Sequence, residues 1–340
     1  MRKIEIHIGR ALLVLSTGVL LFALFLCAVL GVLFLGPSEE ACRLAALSFE
    51  ETSALKFIPR LYLPEERYNE ILHSQEIPSS AEPDFVPEAA GNGPAGQVAV
   101  EEDPDFDVLV EEIKGPRYKG KMMIVADPRR VFVGTLDRYG YDEEGLYLHE
   151  FLEKYGAVGG TNAGGFDDPG GMGRGGMADG IVLRDGAILC GSETYFYQNF
   201  LGFDAEGILH VGSGTGREIL DSGIVTGVSF GMGRTLIENG TRYKDLGGGL
   251  NPRTALGQRA DGAVLLLVIE GRHPGSLGAS YDDLAEIMEG YGAVNAGMLD
   301  GGSSSIMYYE GEQITRGSNI VGMRQLATSI LVLAKEDPDE

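Results

Sequence analysis

The sequence predicts an α+β domain preceded by one N-terminal transmembrane helix. Three observations predict it: an uncharged apolar run near the N-terminus, a series of short apolar runs punctuated by glycine, and only two segments of clear helical spacing within that series. Strands outnumber helices and do not alternate strictly with them, which is the α+β pattern. Glycine supplies 51 of 340 residues with no repeat period, so it marks turns and not a collagen-like or solenoid array.

Residues 1–10 read as a cytoplasmic tail and residues 11–36 as the span. From Ala11 to Leu35 there is no charge, and as a helix this run is about 37 Å long, more than the ~30 Å hydrocarbon core. It therefore crosses with some tilt. Arg2, Lys3 and Arg10 precede it while Glu39 and Glu40 follow, so the positive-inside rule puts the N-terminus in the cytosol and the rest outside the cell membrane. A cleaved signal peptide would have a shorter apolar core ending at a small-x-small site, and Leu33-Phe34-Leu35-Gly36-Pro37 offers none. Bulky residues before Cys27 likewise argue against a lipoprotein site. An uncleaved signal-anchor is expected.

Residues 37–77 form the juxtamembrane stretch, and 41–72 hold enough Leu, Phe, Ile and Tyr for one or two helices. Residues 78–112 read as an acidic flexible linker. Between Glu39 and Glu112 there are 18 acidic against 4 basic residues, a net −14 of the chain's −23. Rich in Pro, Gly, Ala and acids, the linker is a self-repelling spacer. The folded domain is expected over 113–335.

Within the domain, 122–125 and 131–133 read as the first strands. Leu148, Phe151, Leu152 and Tyr155 have helical spacing, and Gly156 is placed to end that helix. Strand-like runs at 181–183 and 187–189 flank Arg184-Asp185-Gly186, a hairpin signal. Further short strands are expected at 208–211, 225–230 and 235–237, the last followed by an Asn239-Gly240 turn. The continuous apolar run 263–269 is a buried strand. Leu284, Ala285, Ile287 and Met288 share one face of a helix over 281–289, with Ser280 as its N-cap. Residues 306–309 and 327–334 complete the series.

Three glycine-bracketed polar clusters interrupt these elements: Asn251-Pro252-Arg253-Thr254-Ala255-Leu256-Gly257-Gln258, Ile269-Glu270-Gly271-Arg272 and Leu299-Asp300-Gly301-Gly302-Ser303-Ser304-Ser305. Asp-Gly and Asn-Pro are common turn dipeptides. Three such turns within sixty residues, all charged and set at strand ends, point to a site on a rigid scaffold. Together with Thr161-Asn162-Ala163-Gly164-Gly165-Phe166-Asp167, their order and spelling resemble the phosphodiester glycosidase domain family. The resemblance covers residues 121–333. Arg253-Thr254 with Gly257, and Asp300-Gly301-Gly302 with Ser304, carry it most specifically. The chain departs from it where Asp-Gly-Arg is usual and Glu270-Gly271-Arg272 stands.

The resemblance implies a mixed sheet with packed helices and a hydrolase that cleaves the sugar C1–O bond of sugar-1-phosphodiesters in cell-envelope or exopolysaccharide material. Such a bond expels a phosphate monoester, so a cation for the phosphate and a carboxylate at the anomeric carbon matter most. Asp300, Glu270 and Asn162 are the expected catalytic group, Asn162 as a hydrogen-bonding orienter. Arg253 and Arg272 are expected on the phosphate. Thr254, Ser303 and Ser304 could donate hydrogen bonds, the N–H groups around Gly301 and Gly302 could cradle an anion, and Gly164, Gly165 and Phe166 complete the substrate-binding set. Each has a plainer reading: Arg253 as a structural ion-pair partner, Glu270 as a turn residue, the two glycines as backbone devices, Phe166 as core. The glycine-rich loop 170–176, which carries Arg174, could act as a lid.

No cofactor is expected. Asp167, Asp168 and Asp300 could hold Ca²⁺ through oxygen ligands but match no EF-hand spacing, and His149, His210 and His273 are too scattered for a zinc triad. Three cysteines without Cys-x-x-Cys exclude a disulfide framework. The net charge excludes nucleic acid as a partner. The charge also opposes an anionic substrate at long range, since Glu150 to Arg324 holds 22 acidic and 12 basic residues. The alternatives to a hydrolase are a non-catalytic module that binds phosphorylated glycans and an envelope-assembly protein that uses 41–72 as its contact.

Overall fold

The computed structural model describes residues 2–52, 55–73, 107–318 and 322–335. Two compact units, Met1–Glu76 and Ile77–Glu340, divide the chain. Most of the expected linker, up to residue 106, lies outside the described residues.

The first unit opens with α1 (Arg2–Leu35), whose apolar stretch Leu12–Leu35 is long enough to cross a membrane. Ser38 caps α2 (Glu39–Glu50), its hydroxyl accepting from Ala41 N at 3.2 Å. A 3₁₀ turn, Pro59–Leu61, leads to α3 (Glu65–His73). Phe34, Ala46, Leu47, Leu63, Tyr68 and Ile71 form their shared core. Cys42 is buried there as a free thiol.

In the second unit β1 (Val108–Lys114) and β2 (Lys119–Val125) pair as a hairpin, so ordered strand begins within the stretch expected as linker. There follow β3 (Val131–Thr135), α4 (Leu148–Tyr155), ended by left-handed Gly156, and β4 (Ala157–Asn162). β5 (Val182–Arg184) and β6 (Ala187–Cys190) make the expected hairpin. Next come β7 (Phe196–Asp204), β8 (Leu209–Thr215), α5 (Gly216–Asp221), β9 (Ile224–Ser229), β10 (Thr235–Glu238) and β11 (Thr241–Arg242). The chain continues through β12 (Arg253–Arg259), β13 (Val264–Ile269), α6 (Tyr281–Gly290) with Ser280 as its N-cap, and β14 (Ala293–Leu299). It closes with β15 (Met307–Tyr309), β16 (Glu312–Gln313) and β17 (Thr328–Leu333).

The fold is α+β, as expected. Its strands divide among three sheets, ordered β1-β2-β13-β12-β14-β10-β11, β16-β15-β4-β17-β3 and β6-β5-β9-β7-β8. Every ladder among the described residues is antiparallel, where the resemblance implied a mixed sheet. Tight turns join several successive strands, and such turns permit only antiparallel pairing.

The seven-stranded sheet buries one face under α6 with Leu236, Leu265, Leu267, Leu284 and Met298. Its other face meets the remaining two sheets over Met123, Leu256, Leu266, Leu201 and Leu331. Three strands escape a reading by periodicity. In β7 the register shifts between Tyr197 and Phe200, with Asn199 at φ 45°, so alternation breaks mid-strand. β12 and β14 carry Gly257 and Gly297, which read as breakers. A Cβ on Gly297 would stand 2.9 Å from Leu201 Cδ2, and one on Gly257 3.2 Å from Ala296 Cβ. Close packing leaves little room for a side chain at either place.

Candidate active site

The register of the long sheet gathers the polar clusters at one end. Arg253 pairs with Ile269 across β12–β13, and Thr254 pairs with Leu299 across β12–β14. The residues that follow β13 and β14, Glu270 and Asp300, therefore leave the sheet on either side of Arg253. β4 of the second sheet ends beside them: Asp300 N donates to Ala163 O at 2.8 Å.

Asn162 fixes this junction. Its Nδ2 donates to the backbone oxygen of Asp300 at 2.6 Å, while its Oδ1 accepts from Thr254 Oγ1 (2.8 Å), Thr161 Oγ1 (3.2 Å) and Ile306 N (3.3 Å). One side donates to a carbonyl and the other accepts from an N–H, so the amide has a single sensible orientation. Ser305 Oγ lies 3.2 Å from Thr254 Oγ1. Asn162 and Thr254 are wholly buried. They hold the Asp300 loop and have no surface to offer a ligand.

Asp300 carries the most perturbed carboxyl at this end. Burial pushes its pKa up to about 6, against the lowering effect of the Ser304 hydroxyl, the Gly301 N–H and the Arg324 charge; Asp168 adds a small raising effect. A carboxyl poised there can move a proton near neutral pH or face developing positive charge. Gly302, at φ 62°, donates its N–H to Pro252 O at 2.8 Å. A Cβ on it would stand 3.3 Å from Arg272 Nη2, so the Arg272 guanidinium lies on the glycine turn. Arg272 is exposed, has φ 61°, and donates to Asn251 Oδ1 from Nε (3.2 Å) and Nη2 (3.0 Å).

Arg253 packs at the start of α6. Its Nε donates to Ala279 O (3.1 Å) and its Nη2 to Gly249 O (2.7 Å), and its guanidinium lies 4.5 Å from the Tyr281 ring centroid. It is buried, with its stem beneath Gly301. Glu270 has both oxygens occupied. Arg316 N donates to Oε1 at 2.8 Å and His273 Nε2 stands 3.2 Å from Oε2. Gly275 N donates to His273 Nδ1 at 3.2 Å, which makes Nε2 the protonated nitrogen. This geometry holds the loop around Arg316 against the end of β13.

Gly164 and Gly165 are backbone devices in this geometry. A Cβ on Gly164 would stand 3.0 Å from Ser229 O, and one on Gly165 3.0 Å from the Phe230 ring. Phe166 is buried and forms a shelf for a cation, the Arg324 guanidinium 4.9 Å from its centroid.

Arg324 is the functional candidate that motif reading missed. Two of its nitrogens donate to the two oxygens of Asp168, both at 2.7 Å, and it also reaches Ser303 Oγ (3.2 Å) and Gly173 O (3.0 Å). Burial acts to raise the Asp168 pKa, but hydrogen bonds from Arg324 and Gly173 N–H, with the guanidinium charge, hold it below the ordinary carboxylate range. The signal was present: Gly322-Met323-Arg324 precedes a buried strand, the glycine-plus-charge pattern of the other clusters. A cavity of about 210 Å³ opens beside Arg324, lined also by Ser303, Ser304, Ser305, Gln313 and Met323.

The Asp168 oxygens that could have served a cation are thus committed to a guanidinium, and no group of three metal-ligating side chains occurs among the described residues. The glycine loop expected as a lid is tied down, Gly145 N donating to Arg174 O (2.7 Å) and Gly140 N to Gly176 O (3.0 Å).

Residues 155–333 match the phosphodiester glycosidase family profile. The chain belongs to the phosphodiester glycosidase family. The matched region holds Asn162, Glu270, Asp300 and Arg324 but begins after β1–β3, so this family member's sheets take strands from upstream of the match. The zebrafish N-acetylglucosamine-1-phosphodiester alpha-N-acetylglucosaminidase catalytic domain, auto-inhibited by pro-peptide, is similar in fold, with a TM-score of 0.54 at 19% identity over 67% of this chain and 83% of that one. A hypothetical protein from Synechocystis aligns with a TM-score of 0.47 at 14% identity over 66% of this chain and 61% of its own. An uncharacterized SPbeta prophage-derived protein of Bacillus subtilis (strain 168) is 34% identical over 89 residues, 26% of this chain. This chain spans 14% of that protein's length.

Proposed function

We propose that the protein is a membrane-anchored extracytoplasmic hydrolase that cleaves the sugar C1–O bond of sugar-1-phosphodiesters in cell-envelope or exopolysaccharide material. The observation that carries this reading is Asp300. Its carboxyl has a pKa raised to about 6 and sits on a glycine turn beside two guanidinium groups, Arg272 and Arg324. In this reading the phosphate rests on Arg272 and Ser303, with Arg324 close by; the Gly302 N–H is held by Pro252 O and the Gly301 N–H by the Asp300 carboxyl. The ionised Asp300 carboxylate faces the anomeric carbon as positive charge develops there, or takes a proton from the attacking water. The departing phosphate monoester is stable as an anion, so no strong acid is needed opposite.

Arg253, Thr254 and Asn162 are assigned to holding the Asp300 loop, and Glu270 to holding the loop around Arg316. Leu12–Leu35 is read as the single-pass anchor, with the basic N-terminus in the cytosol. A second reading is a module that binds phosphorylated glycans without turning them over, favoured by the hydrogen bonds that hold Glu270 to Arg316 N and His273 and the ion pair that holds Asp168 to Arg324.

The full chain, purified in detergent, is tested for hydrolysis of a panel of sugar-1-phosphodiesters beside Asp300→Asn. Turnover lost in the variant while ligand is still bound supports the hydrolase. Ligand binding by both proteins with turnover by neither would establish the binding module instead.

A further inference from the structure

The first unit carries a feature that an anchor alone does not need. The chain around the 3₁₀ turn Pro59–Leu61 folds back along α1: Tyr62 Oη donates to Cys27 O at 3.3 Å, and the Tyr62 ring stacks on Phe34 at 5.5 Å between centroids. Cys27 lies eight residues before the end of α1, about 12 Å down the helix axis. Leu12–Leu35 has 24 residues, about 36 Å against a ~30 Å hydrocarbon core, so a centred span leaves only about 3 Å beyond each boundary. The Cys27 carbonyl is then roughly 9 Å inside the acyl region, and the turn that reaches it lies at the membrane surface or below.

The turn is built for that depth. Leu55, Phe57 and Leu61 are 38%, 58% and 70% exposed, the wrong side chains to present to water in one short segment. Part of its backbone pairs locally: Leu55 N donates to Thr52 O, Ile58 N to Leu55 O and Leu61 N to Ile58 O, and just after it Tyr62 and Leu63 N donate to Pro59 O. Each such bond lowers the cost of placing backbone against lipid. Lys56 and Arg60 are exposed between the apolar residues, on stems long enough to reach the headgroups.

We propose that residues 55–61 are a membrane-inserting wedge, with Leu55, Phe57 and Leu61 among the acyl chains of the leaflet that α1 reaches at Leu35. The wedge rests on the reading of Leu12–Leu35 as a span and is independent of the hydrolase assignment. It fixes the rotation of the first unit against the bilayer, which one helix cannot do.

The chain contains no tryptophan, so a single Leu61→Trp substitution gives an unmixed fluorescence probe. The full-length variant is reconstituted into phosphatidylcholine–phosphatidylglycerol vesicles containing lipids brominated at shallow or deep acyl positions. Leu24→Trp, in the span, is the control. The expected result is blue-shifted emission from the Leu61→Trp protein, most of it lost to shallow bromine. Deep bromine should quench the Leu24→Trp protein. Quenching of Leu24→Trp without quenching of Leu61→Trp would overturn the wedge and leave the anchor standing, whether the unquenched probe were red-shifted in water or blue-shifted against protein. Absence of quenching in both variants would overturn the span and the wedge together.

Discussion

The side-chain amide of Asn162 donates to the backbone oxygen of Asp300 at 2.6 Å, and one residue further on Ala163 O accepts from Asp300 N at 2.8 Å. The end of β4 thus grips both backbone polar groups of the residue proposed to do the chemistry. The grip extends through Thr254, whose hydroxyl binds the same side-chain amide at its oxygen, at 2.8 Å. Two sheets are stitched at the point where the carboxyl emerges.

Asn162→Asp keeps the acceptor side of this amide and loses the donor to Asp300 O. It is expected to cost roughly 2–4 kcal/mol of stability, since a buried partner is left unsatisfied and a charge is introduced. kcat should fall more than KM rises, because the residue positions Asp300 and does not touch substrate. Thermal denaturation and steady-state kinetics measure both, and an unchanged kcat would remove Asn162 from that role.

Asp300→Asn is expected to lower kcat by roughly 10²–10⁴-fold while stabilising the fold at neutral pH. The folded-state pKa is raised to about 6 from an ordinary 3.8, so protonation favours the native state. The stability gained from it is fully present below pH 3.8 and lost as pH rises through about 6. The amide mimics the protonated form at all pH values, worth on the order of 2–3 kcal/mol near neutrality. A melting temperature at neutral pH that is lower for the variant would contradict the burial argument.

The acid limb of the kcat/KM profile should report Asp300 in the free enzyme. Activity is expected to fall as pH drops through about 6. Arg324→Met withdraws a cation that favours the ionised form, so the limb should move to higher pH. The same variant strands Asp168 and is expected to cost roughly 2–4 kcal/mol. A limb that stays in place would separate Arg324 from Asp300 electrostatically.

Gly302→Ala tests the phosphate seat. Its φ of 62° disfavours a side chain, and the new Cβ would stand 3.3 Å from Arg272 Nη2. A strain of about 1 kcal/mol is expected, with a rise in KM for the phosphodiester as Arg272 is displaced. An unaltered KM, read from initial rates, would detach Arg272 from substrate.

Much of the molecule was legible in the chain itself, for local reasons. The uncharged run to Leu35, the Ser280 cap, the Gly156 stop and the apolar stretch of β13 are determined by neighbours within a few residues, where periodicity and capping act. The α+β class followed from the same short-range signals. Other features depended on partners distant in sequence. Asn199 bulges β7 and Gly297 lies under Leu201 because two sheets press together there, so those strands look broken in one dimension. Arg253 reads as a charge at a strand end, and only the fold brings it the backbone oxygens of Ala279 and Gly249. The hydrogen bonds from Arg316 N and His273 to Glu270 join residues up to 46 positions apart. Arg324 is held beside the Asp300 loop by Asp168, 156 residues earlier, and by Ser303. Sequence determined which polar side chains the clusters offer; the tertiary structure decided which are buried and what each one bonds to, because burial and hydrogen bonding depend on the whole fold.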